Sequence, residues 1–283
     1  MKKLIWLASY PKSGNTWVRS LLANYLFSDG EPVSINALSK WAVGEMSVDH
    51  YKDLLPKPAN EMPAEAICQI RPEVHRRLSD LSEGAIIVKT HNRFGVVCGT
   101  PTITPEATRA AIYIVRSPLD VVVSFADFYG LSLDVAISRT ASPDLVLPAD
   151  DYQVHQFLGS WSSNVASWMR ATGIPVLMVR YEALLADTPD VFRNVLEFLN
   201  IDIDEDKMAS AIEFSSFKSL KSQEQQEGFV EASPVTDSGF FRSGTSGGWR
   251  EALNDEQAGK VIRHHQAMMR KLRYLDDNGH PTV

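Results

Sequence analysis

Cysteine is scarce in this sequence, and so are long hydrophobic runs. The 283 residues include only two cysteines, Cys68 and Cys98, and no CxxC pair. A disulfide framework is therefore not expected, and a reducing, cytoplasmic setting is predicted. No apolar run approaches the length of a membrane span, and the run after the basic start MKK is too short for a signal peptide. We therefore expect a cytoplasmic protein without a membrane span.

The sequence also lacks an excess of positive charge. Lysine and arginine number 28 against 35 aspartates and glutamates, which gives a formal net charge of −7. That balance argues against nucleic acid as a partner, although a local basic pocket is compatible with it. Hydrophobic residues make up 44% of the chain, enough for a sizeable core. The length suits one α/β domain over residues 1–283.

Four short runs are apolar nearly throughout, which is typical of strands in a parallel sheet covered on both faces. These predicted strands are Leu4–Ala8, Ile86–Thr90, Ala111–Val115 and Val176–Arg180. The predicted helices are Thr16–Leu26, Pro118–Tyr129, Val154–Ala171, Pro189–Leu199, Asp204–Phe214 and Asp255–Leu272. Strands alternating with helices predict an α/β fold with a mainly parallel sheet between two helical layers.

Two stretches show no clear periodicity and are predicted to be irregular. They are Ser28–Pro72, with scattered prolines and aromatic residues, and Gln223–Gly248, rich in Gln, Glu, Ser and Gly. Loops of that length in a compact domain usually serve as binding loops or lids. The pair His264–His265 is predicted to lie on a helix surface.

The segment YPKSGNTW, residues 10–17, joins a predicted strand to a predicted helix. The first turn of a helix offers backbone N–H groups and a positive dipole end, which suit a phosphate. Gly14 would let the backbone approach such a ligand closely, and Lys12 adds a full positive charge. Short polar side chains complete the segment: Ser13, Asn15 and Thr16. From these residues alone, a plain turn with an exposed lysine is the alternative.

This segment differs from the usual P-loop signature GxxxxGK[ST], because its lysine precedes the glycine and the upstream glycine is missing. The predicted strands also do not end in an aspartate of the kind that holds magnesium. We therefore expect phosphate binding without a metal ion.

Charged groups also follow two other predicted strands. Arg116 follows the third, where parallel sheets bind ligands, and Ser124 lies two helical turns further on. A guanidinium suits phosphate, although a surface pair between Arg116 and Asp120 is the alternative. His91 follows the second strand, with Lys89 before it. A histidine can take a proton from a hydroxyl near neutral pH, and the alternative is an ordinary surface-loop histidine.

Taken in order, these stretches resemble the sulfotransferases that use 3′-phosphoadenosine 5′-phosphosulfate (PAPS). YPKSGNTW resembles the family's 5′-phosphosulfate loop YPKSGTTW, with Asn15 in place of a threonine. VRSPLDVVVS, residues 115–124, resembles the 3′-phosphate motif, and KTH, residues 89–91, resembles the segment that carries the catalytic base. RSGTSGGW, residues 242–249, resembles RKGxxGxW, in which Ser243 replaces a lysine. A flexible loop is the alternative for this glycine-rich stretch.

The resemblance implies a P-loop-like, three-layer α/β fold and transfer of a sulfuryl group from PAPS to a hydroxyl or, as second choice, an amine. It implies a catalytic role for His91 as base, with Lys12 and Lys89, and no metal. The weaker similarities of VRYEAL, residues 179–184, and FSSF, residues 214–217, add adenine contacts. The cofactor-binding residues implied are Lys12, Ser13, Gly14, Asn15, Thr16, Trp17, Arg116, Ser124, Tyr181, Ser215, Phe217, Arg242, Ser243 and Gly244.

Two other functions compete with this interpretation: an ATP- or GTP-using P-loop kinase, and a family member that binds nucleotide without catalysis. The acceptor is left open among small molecules, carbohydrates and lipids that carry a hydroxyl. The irregular stretch 28–72, with Trp41, Met46, His50 and Tyr51, would supply acceptor-site loops, and 223–248 would supply a lid. Residues 250–259, REALNDEQAG, do not match the family's usual dimer signature, so that route to a dimer is in doubt.

Overall fold

The structure is a computed structural model that describes residues 3–233, 235–236 and 239–283. The strands in this part of the chain are β1 Leu4–Ser9, β2 Ala42–Gly44, β3 Ile86–Thr90, β4 Val96–Val97, β5 Thr100–Pro101, β6 Thr108–Val115, β7 Val146–Leu147, β8 Gln156–Phe157 and β9 Val176–Arg180. The α-helices there are α1 Asn15–Phe27, α2 Leu38–Trp41, α3 Ala64–Ser79, α4 Pro118–Phe128, α5 Leu133–Ala141, α6 Trp161–Met169, α7 Tyr181–Ala186, α8 Thr188–Phe198, α9 Glu205–Phe214, α10 Phe217–Glu227, α11 Trp249–Ala252 and α12 Asp255–Lys271.

The described residues form two compact units that interleave along the sequence. The first unit takes the residues up to Tyr10, 42–113 and 142–178, and the second takes the rest. Because each unit is assembled from three segments, no single linker divides the chain. The assignment of residues 1–283 to one domain stays a prediction.

A five-stranded sheet has the order β2-β3-β1-β6-β9. Strand β1 pairs in parallel with β3, in the register Ala8 opposite Thr90, and β2 pairs in parallel with the other edge of β3. Every residue of β1 is buried, as expected for a central strand covered on both faces. The predicted α/β class with a parallel sheet is confirmed, although β6 begins earlier than predicted, at Thr108.

Helix α3 corrects the prediction that residues 28–72 are irregular throughout. It runs from Ala64 to Ser79 with Pro72 inside it. Proline removes one backbone hydrogen bond and usually breaks a helix, which is why the sequence argued against one here. The apolar face of α3 outweighs that cost, because Ile67, Val74 and Leu78 are all buried.

Two other helix predictions are also corrected. Residues 154–171 were predicted as one helix, but the chain forms β8 and then starts α6 at Trp161. Gly159, with a positive φ of 65°, turns the chain, and the Ser160 hydroxyl caps α6 by accepting from the Ser163 N–H. Helix α10 likewise extends through Glu227 into the stretch 223–248 predicted to be irregular. Pro234, Asp237 and Ser238 of that stretch lie outside the described residues.

The other predicted helices, which became α1, α4, α8, α9 and α12, are confirmed to within one residue at each end. In the second unit, an apolar cluster joins α1 and α10 to the segment before Arg242; its buried members are Ala23, Ile35, Leu38, Leu220, Phe229 and Phe241. Within the described part of the chain, no single helix is long and apolar enough to cross a membrane. Helices α4 and α5 meet that test only as a pair bent by 120°.

The prediction that His265 lies on a helix surface is wrong. Its side chain on α12 is 2% exposed, whereas His264 is exposed. Burial, with a smaller contribution from the neighbouring His264, lowers the pKa of His265 to about 3. An unfolded histidine titrates near 6.5, so the unfolded chain binds a proton between pH 6.5 and 3 that the folded His265 does not take up.

We therefore predict that His265→Leu weakens the pH dependence of stability. The wild type should lose unfolding free energy as the pH falls from 6.5 towards 3, and the variant's slope should be shallower by up to about 1.4 kcal/mol per pH unit. Urea denaturation at a series of pH values measures this slope. His264→Leu is the matched control and should keep the wild-type slope; an unchanged slope in His265→Leu would contradict the assignment.

Candidate active site

The loop between β1 and α1 has an unusual backbone. Lys12 and Gly14 both have positive φ, at 67° and 101°. Gly14 is the N-cap of α1 and has no side chain with which to cap that end, and the first turn contains no acidic residue. The positive end of the helix dipole is therefore not offset by a carboxylate of its own first turn, which suits an anionic ligand.

Tyr181, at the start of α7, packs directly on Gly14. A Cβ atom at position 14 would lie 2.6 Å from the Tyr181 Cδ2 atom, so the contact requires glycine. Trp17 meets the same ring edge to face at a centroid distance of 5.7 Å. Burial raises the pKa of Tyr181 and keeps its phenol protonated. Thus Gly14 and Trp17 of the YPKSGNTW segment lie together with Tyr181, which comes from a motif distant in the sequence, in the second unit.

Arg116 ties the loop to the glycine-rich segment. One guanidinium nitrogen donates to the Lys12 carbonyl at 3.3 Å, and the other donates to the Thr245 carbonyl at 3.0 Å. The guanidinium also lies over the Tyr181 ring, 4.5 Å from its centroid. Three stretches identified separately in the sequence therefore converge on one arginine.

Asp120 has a role that the sequence did not reveal. The Asp120 side chain is 4% exposed. The alternative prediction, in which Asp120 forms a pair with Arg116 on the helix surface, is therefore wrong in placing Asp120 at the surface. Its carboxylate accepts hydrogen bonds from the Gly247 and Trp249 N–H groups at 2.9 and 3.1 Å, and from the Ser246 hydroxyl at 3.3 Å. Asp120 thus fixes the glycine-rich segment on α4.

The other end of this segment packs on α10. A Cβ atom at Gly244 would lie 2.3 Å from the Phe217 ring, so this close contact requires glycine. Arg242 pairs with Asp127 of α4 at 3.7 Å. The Lys221 ammonium donates to the Arg242 carbonyl at 3.5 Å, and Ser243 is exposed. Lys221 therefore places a cation beside the position where a serine replaces the family's lysine.

The small polar residues predicted for the site lie in different surroundings. Ser13 is fully buried, and among the described residues its hydroxyl has no hydrogen-bond partner. Asn15 and Thr16 are buried in the first turn of α1, and Ser124 is half-buried on α4. Ser215 is fully buried, and its hydroxyl accepts from Ser20 and Asn24 of α1. The role of each as a cofactor contact stays a prediction.

His91 lies in the first unit, just after β3, and is half-buried. Its Nδ1 atom is 2.9 Å from the carbonyl oxygen of Ser9 at the end of β1. A carbonyl can only accept, so Nδ1 must carry the hydrogen in the neutral ring. This assignment leaves the lone pair on Nε2, which could act as a base. Lys89 lies on β3, two residues before His91.

The backbone around His91 is held by buried polar side chains. Asn164 donates to the His91 carbonyl at 3.1 Å, and the Trp168 indole donates to the Asn92 carbonyl at 3.0 Å. The Asn92 side chain in turn donates to the Glu45 carboxylate at 2.9 Å. The position of the histidine is therefore set by side chains from α6 and from the segment after β2.

Glu45 is fully buried within a charged network. Arg71 pairs with it at 3.1 Å, the Tyr51 hydroxyl donates to it, and His75 lies 3.6 Å away. Burial by itself would raise the pKa of Glu45, but these three neighbours outweigh burial and lower the pKa to about 2. Tyr51 is fully buried beside it, so the expectation that Tyr51 lines an acceptor site is not supported.

Within the described residues, no group of three or more histidine, cysteine, aspartate or glutamate side chains could hold a metal ion. The anion-binding features described above come from backbone N–H groups, lysines and arginines. Together with the parallel sheet, they define an α/β protein with a phosphate-type loop at the start of a helix.

Comparison with known proteins identifies the family. A family model described as the sulfotransferase domain matches residues 2–273, and the chain therefore belongs to the sulfotransferase domain family. The predicted enzyme class is confirmed. Sulfotransferase 1A1 of Rattus norvegicus is 26% identical over 277 residues, covering 93% of this chain and 83% of that protein. Cytosolic sulfotransferase 12 of Arabidopsis thaliana is 25% identical over 265 residues, covering 92% and 75%.

Two solved structures show the same fold. Mouse sulfotransferase SULT7A1, complexed with PAP, superposes with a TM-score of 0.63 at 20% identity, covering 95% of this chain and 84% of that one. Retinol dehydratase in a complex with retinol and PAP gives a TM-score of 0.64 at 18% identity, covering 95% and 81%. These likenesses confirm the predicted α/β architecture.

The Glu45 network generates a stability prediction. Glu45→Ala should lower the unfolding free energy by about 3–5 kcal/mol, because it leaves the buried Arg71 charge without its partner. Urea denaturation at pH 7 measures the change. Glu73→Ala, which removes an exposed carboxylate of α3 paired with Arg76, is the control and should cost far less, because exposed ion pairs add little to stability. Equal losses in the two variants would contradict the importance assigned to the buried pair.

Proposed function

We propose that this protein transfers a sulfuryl group from PAPS to an acceptor hydroxyl in the cytoplasm. The observation that carries the proposal is the convergence of the Lys12–Trp17 loop, Arg116 and Tyr181 at the N-terminus of α1. This arrangement offers two cations, a helix dipole and two aromatic rings, which match the chemical parts of a phosphorylated adenine nucleotide.

The residues of the second unit would hold the nucleotide. The α1 N-terminus, with Ser13, Gly14, Asn15 and Thr16, would receive the 5′-phosphosulfate. Trp17, Tyr181, Ser215 and Phe217 would contact the adenine. Arg116, Ser124, Arg242, Ser243 and Gly244 would surround the 3′-phosphate. The unsatisfied buried hydroxyl of Ser13 fits this role, because a bound phosphate oxygen would give it a partner.

His91 would be the general base. Its Nε2 atom would take the acceptor's hydroxyl proton as the acceptor oxygen forms a bond to sulfur. The bond between sulfur and the 5′-phosphate oxygen breaks, and adenosine 3′,5′-bisphosphate leaves. Lys12 would neutralise the charge that develops on the leaving phosphate, and Lys89 would hold the sulfuryl oxygens. No metal ion takes part in this scheme.

Membership of the sulfotransferase family removes the support for a P-loop kinase. A family member that binds nucleotide without catalysis is the remaining competitor. The hydrogen bond from Nδ1 of His91 to Ser9 favours catalysis, because nucleotide binding alone does not require an oriented histidine. The acceptor class is tested directly by a panel of an alcohol, a phenol, a sugar and a carrier-tethered hydroxyacyl chain, read by release of the bisphosphate from PAPS. No release with any acceptor or with water would overturn the proposal of an enzyme.

His91→Ala should lower turnover by about 10²–10⁴-fold, the usual contribution of a general base. Affinity for adenosine 3′,5′-bisphosphate, measured by calorimetry, should stay close to that of the wild type. The exposed His264→Ala variant controls for the general effect of losing a histidine and should keep wild-type turnover. A His91→Ala enzyme that retains most of its turnover would rule out His91 as the base.

Arg116→Ala should reduce discrimination between nucleotides with and without the 3′-phosphate. The wild type should bind adenosine 3′,5′-bisphosphate more tightly than adenosine 5′-monophosphate, and the variant should lose roughly 1.5–3 kcal/mol of that difference, the value of a charge-assisted hydrogen bond. Calorimetry with both nucleotides measures it. Arg109→Ala, an exposed arginine on β6, should keep the wild-type difference. A wild type that does not discriminate would refute the 3′-phosphate site itself.

A further inference from the structure

The ammonium group of Lys12 lies against two aromatic rings. Its Nζ atom is 4.0 Å from the ring centroid of Phe128 and 4.0 Å from that of Phe240. The two rings are 6.2 Å apart and nearly perpendicular, at 88°. The ammonium therefore lies in a corner formed by two rings, rather than between parallel ones, and one side of it is not covered by either ring. We call these two side chains the aromatic corner.

The polypeptide holds both walls of this corner in place. Phe128 is the last residue of α4, and its carbonyl accepts a hydrogen bond from the Ser233 hydroxyl at 2.7 Å. The backbone N–H groups of Phe240 and Phe241 both donate to the carboxylate of Glu224 on α10. Phe128 is thus fixed as part of α4, and Phe240 is fixed by hydrogen bonding to α10.

The lysine is fixed by its own backbone as well. Lys12 has a φ of 67°, a conformation that non-glycine residues rarely adopt. Its carbonyl accepts from Arg116, which fixes the direction in which the side chain leaves the loop. The backbone and the aromatic corner together restrict a side chain that is normally among the most mobile.

Aromatic rings stabilise a cation differently from a carboxylate. The negative faces of the rings attract an ammonium by about 0.5–2 kcal/mol, and more strongly as water is excluded. The rings carry no net charge, so their contact with the ammonium places no negative charge beside it. The aromatic corner therefore orients the Lys12 ammonium without itself neutralising it.

We infer that Phe128 and Phe240 are positioning residues, which hold the Lys12 ammonium where negative charge develops on the leaving phosphate. This inference rests on the proposed function. It makes the aromatic character of positions 128 and 240, rather than their size, a determinant of the rate of sulfuryl transfer. Because the interaction strengthens only as charge develops in the transition state, loss of a ring should lower kcat more than it changes the KM for PAPS.

The test replaces the ring while keeping an apolar side chain. Phe240→Leu should lower kcat for PAPS cleavage roughly 3- to 30-fold, the rate equivalent of a cation–π contact, with little change in KM. Phe240→Tyr keeps a ring and should retain kcat. The rate is measured with the acceptor found in the panel or, without one, with water. Phe128→Leu is a second variant, in case Phe240→Leu does not fold as judged by thermal denaturation.

A matched control separates packing from the cation contact. Phe229 packs on both Phe240 and Phe241, with centroid distances of 4.9 and 5.6 Å. Phe229→Leu therefore disturbs the same aromatic cluster without removing a ring from Lys12, and it should retain kcat. An equal fall of kcat in Phe229→Leu and Phe240→Leu would overturn the inference in favour of packing.

Lys12→Met distinguishes failure of this inference from failure of the proposed function. If Lys12→Met retains wild-type turnover, the proposed catalytic role of Lys12 is wrong, and the inference falls with it. If Lys12→Met is impaired but both leucine variants are not, only the aromatic corner is refuted. The double variant Lys12→Met/Phe240→Leu should lose no more than Lys12→Met alone, because the ring acts through the lysine; an additive further loss would contradict the inference.

Discussion

The second unit depends on a backbone constraint at the entry to α1. The chain turns from β1 into that helix through positive φ values at Lys12 and Gly14. This turn places a residue without a side chain at the N-terminus of the helix, presents the Lys12 carbonyl to Arg116 and leaves room at Gly14 for the ring of Tyr181. A side chain at position 14 would push Tyr181 away. The nucleotide pocket proposed here therefore begins with the absence of one Cβ atom.

The two units hold charged side chains in different ways. In the first, the buried Glu45 carboxylate pairs with Arg71 and accepts hydrogen bonds from Tyr51 and Asn92, so it helps to fix the backbone around His91. In the second, the half-buried Lys12 ammonium lies against two uncharged rings. A buried ion pair specifies a structure because breaking it is costly, whereas aromatic faces orient a cation without placing a negative charge beside it.

The sequence predicted the elements and residues whose signals are local. Continuous apolar runs located β3 and β9, and short polar motifs pointed to Lys12, Arg116 and His91. It failed where a tertiary contact decides the outcome. Pro72 predicted an interruption where α3 forms, because the sequence does not show how much the burial of the apolar face stabilises the helix. His265 is buried although its neighbour His264 is exposed, and the sequence does not distinguish the two. Asp120, Asn164 and Phe240 contact residues that lie 73 to 228 positions away in the chain, and no local sequence pattern predicts such contacts.

The pair between Arg242 and Asp127 has a consequence for selectivity. An arginine that already has an anionic partner gains only the difference between the old partner and the new one. A singly charged group offers little beyond the carboxylate, whereas a phosphate dianion offers more charge and more acceptor oxygens. In the proposed 3′-phosphate site, the internal carboxylate would therefore set a threshold that nucleotides with a plain 3′-hydroxyl do not reach. Asp127 would then make that proposed site a filter for ligands as well as a place to bind them.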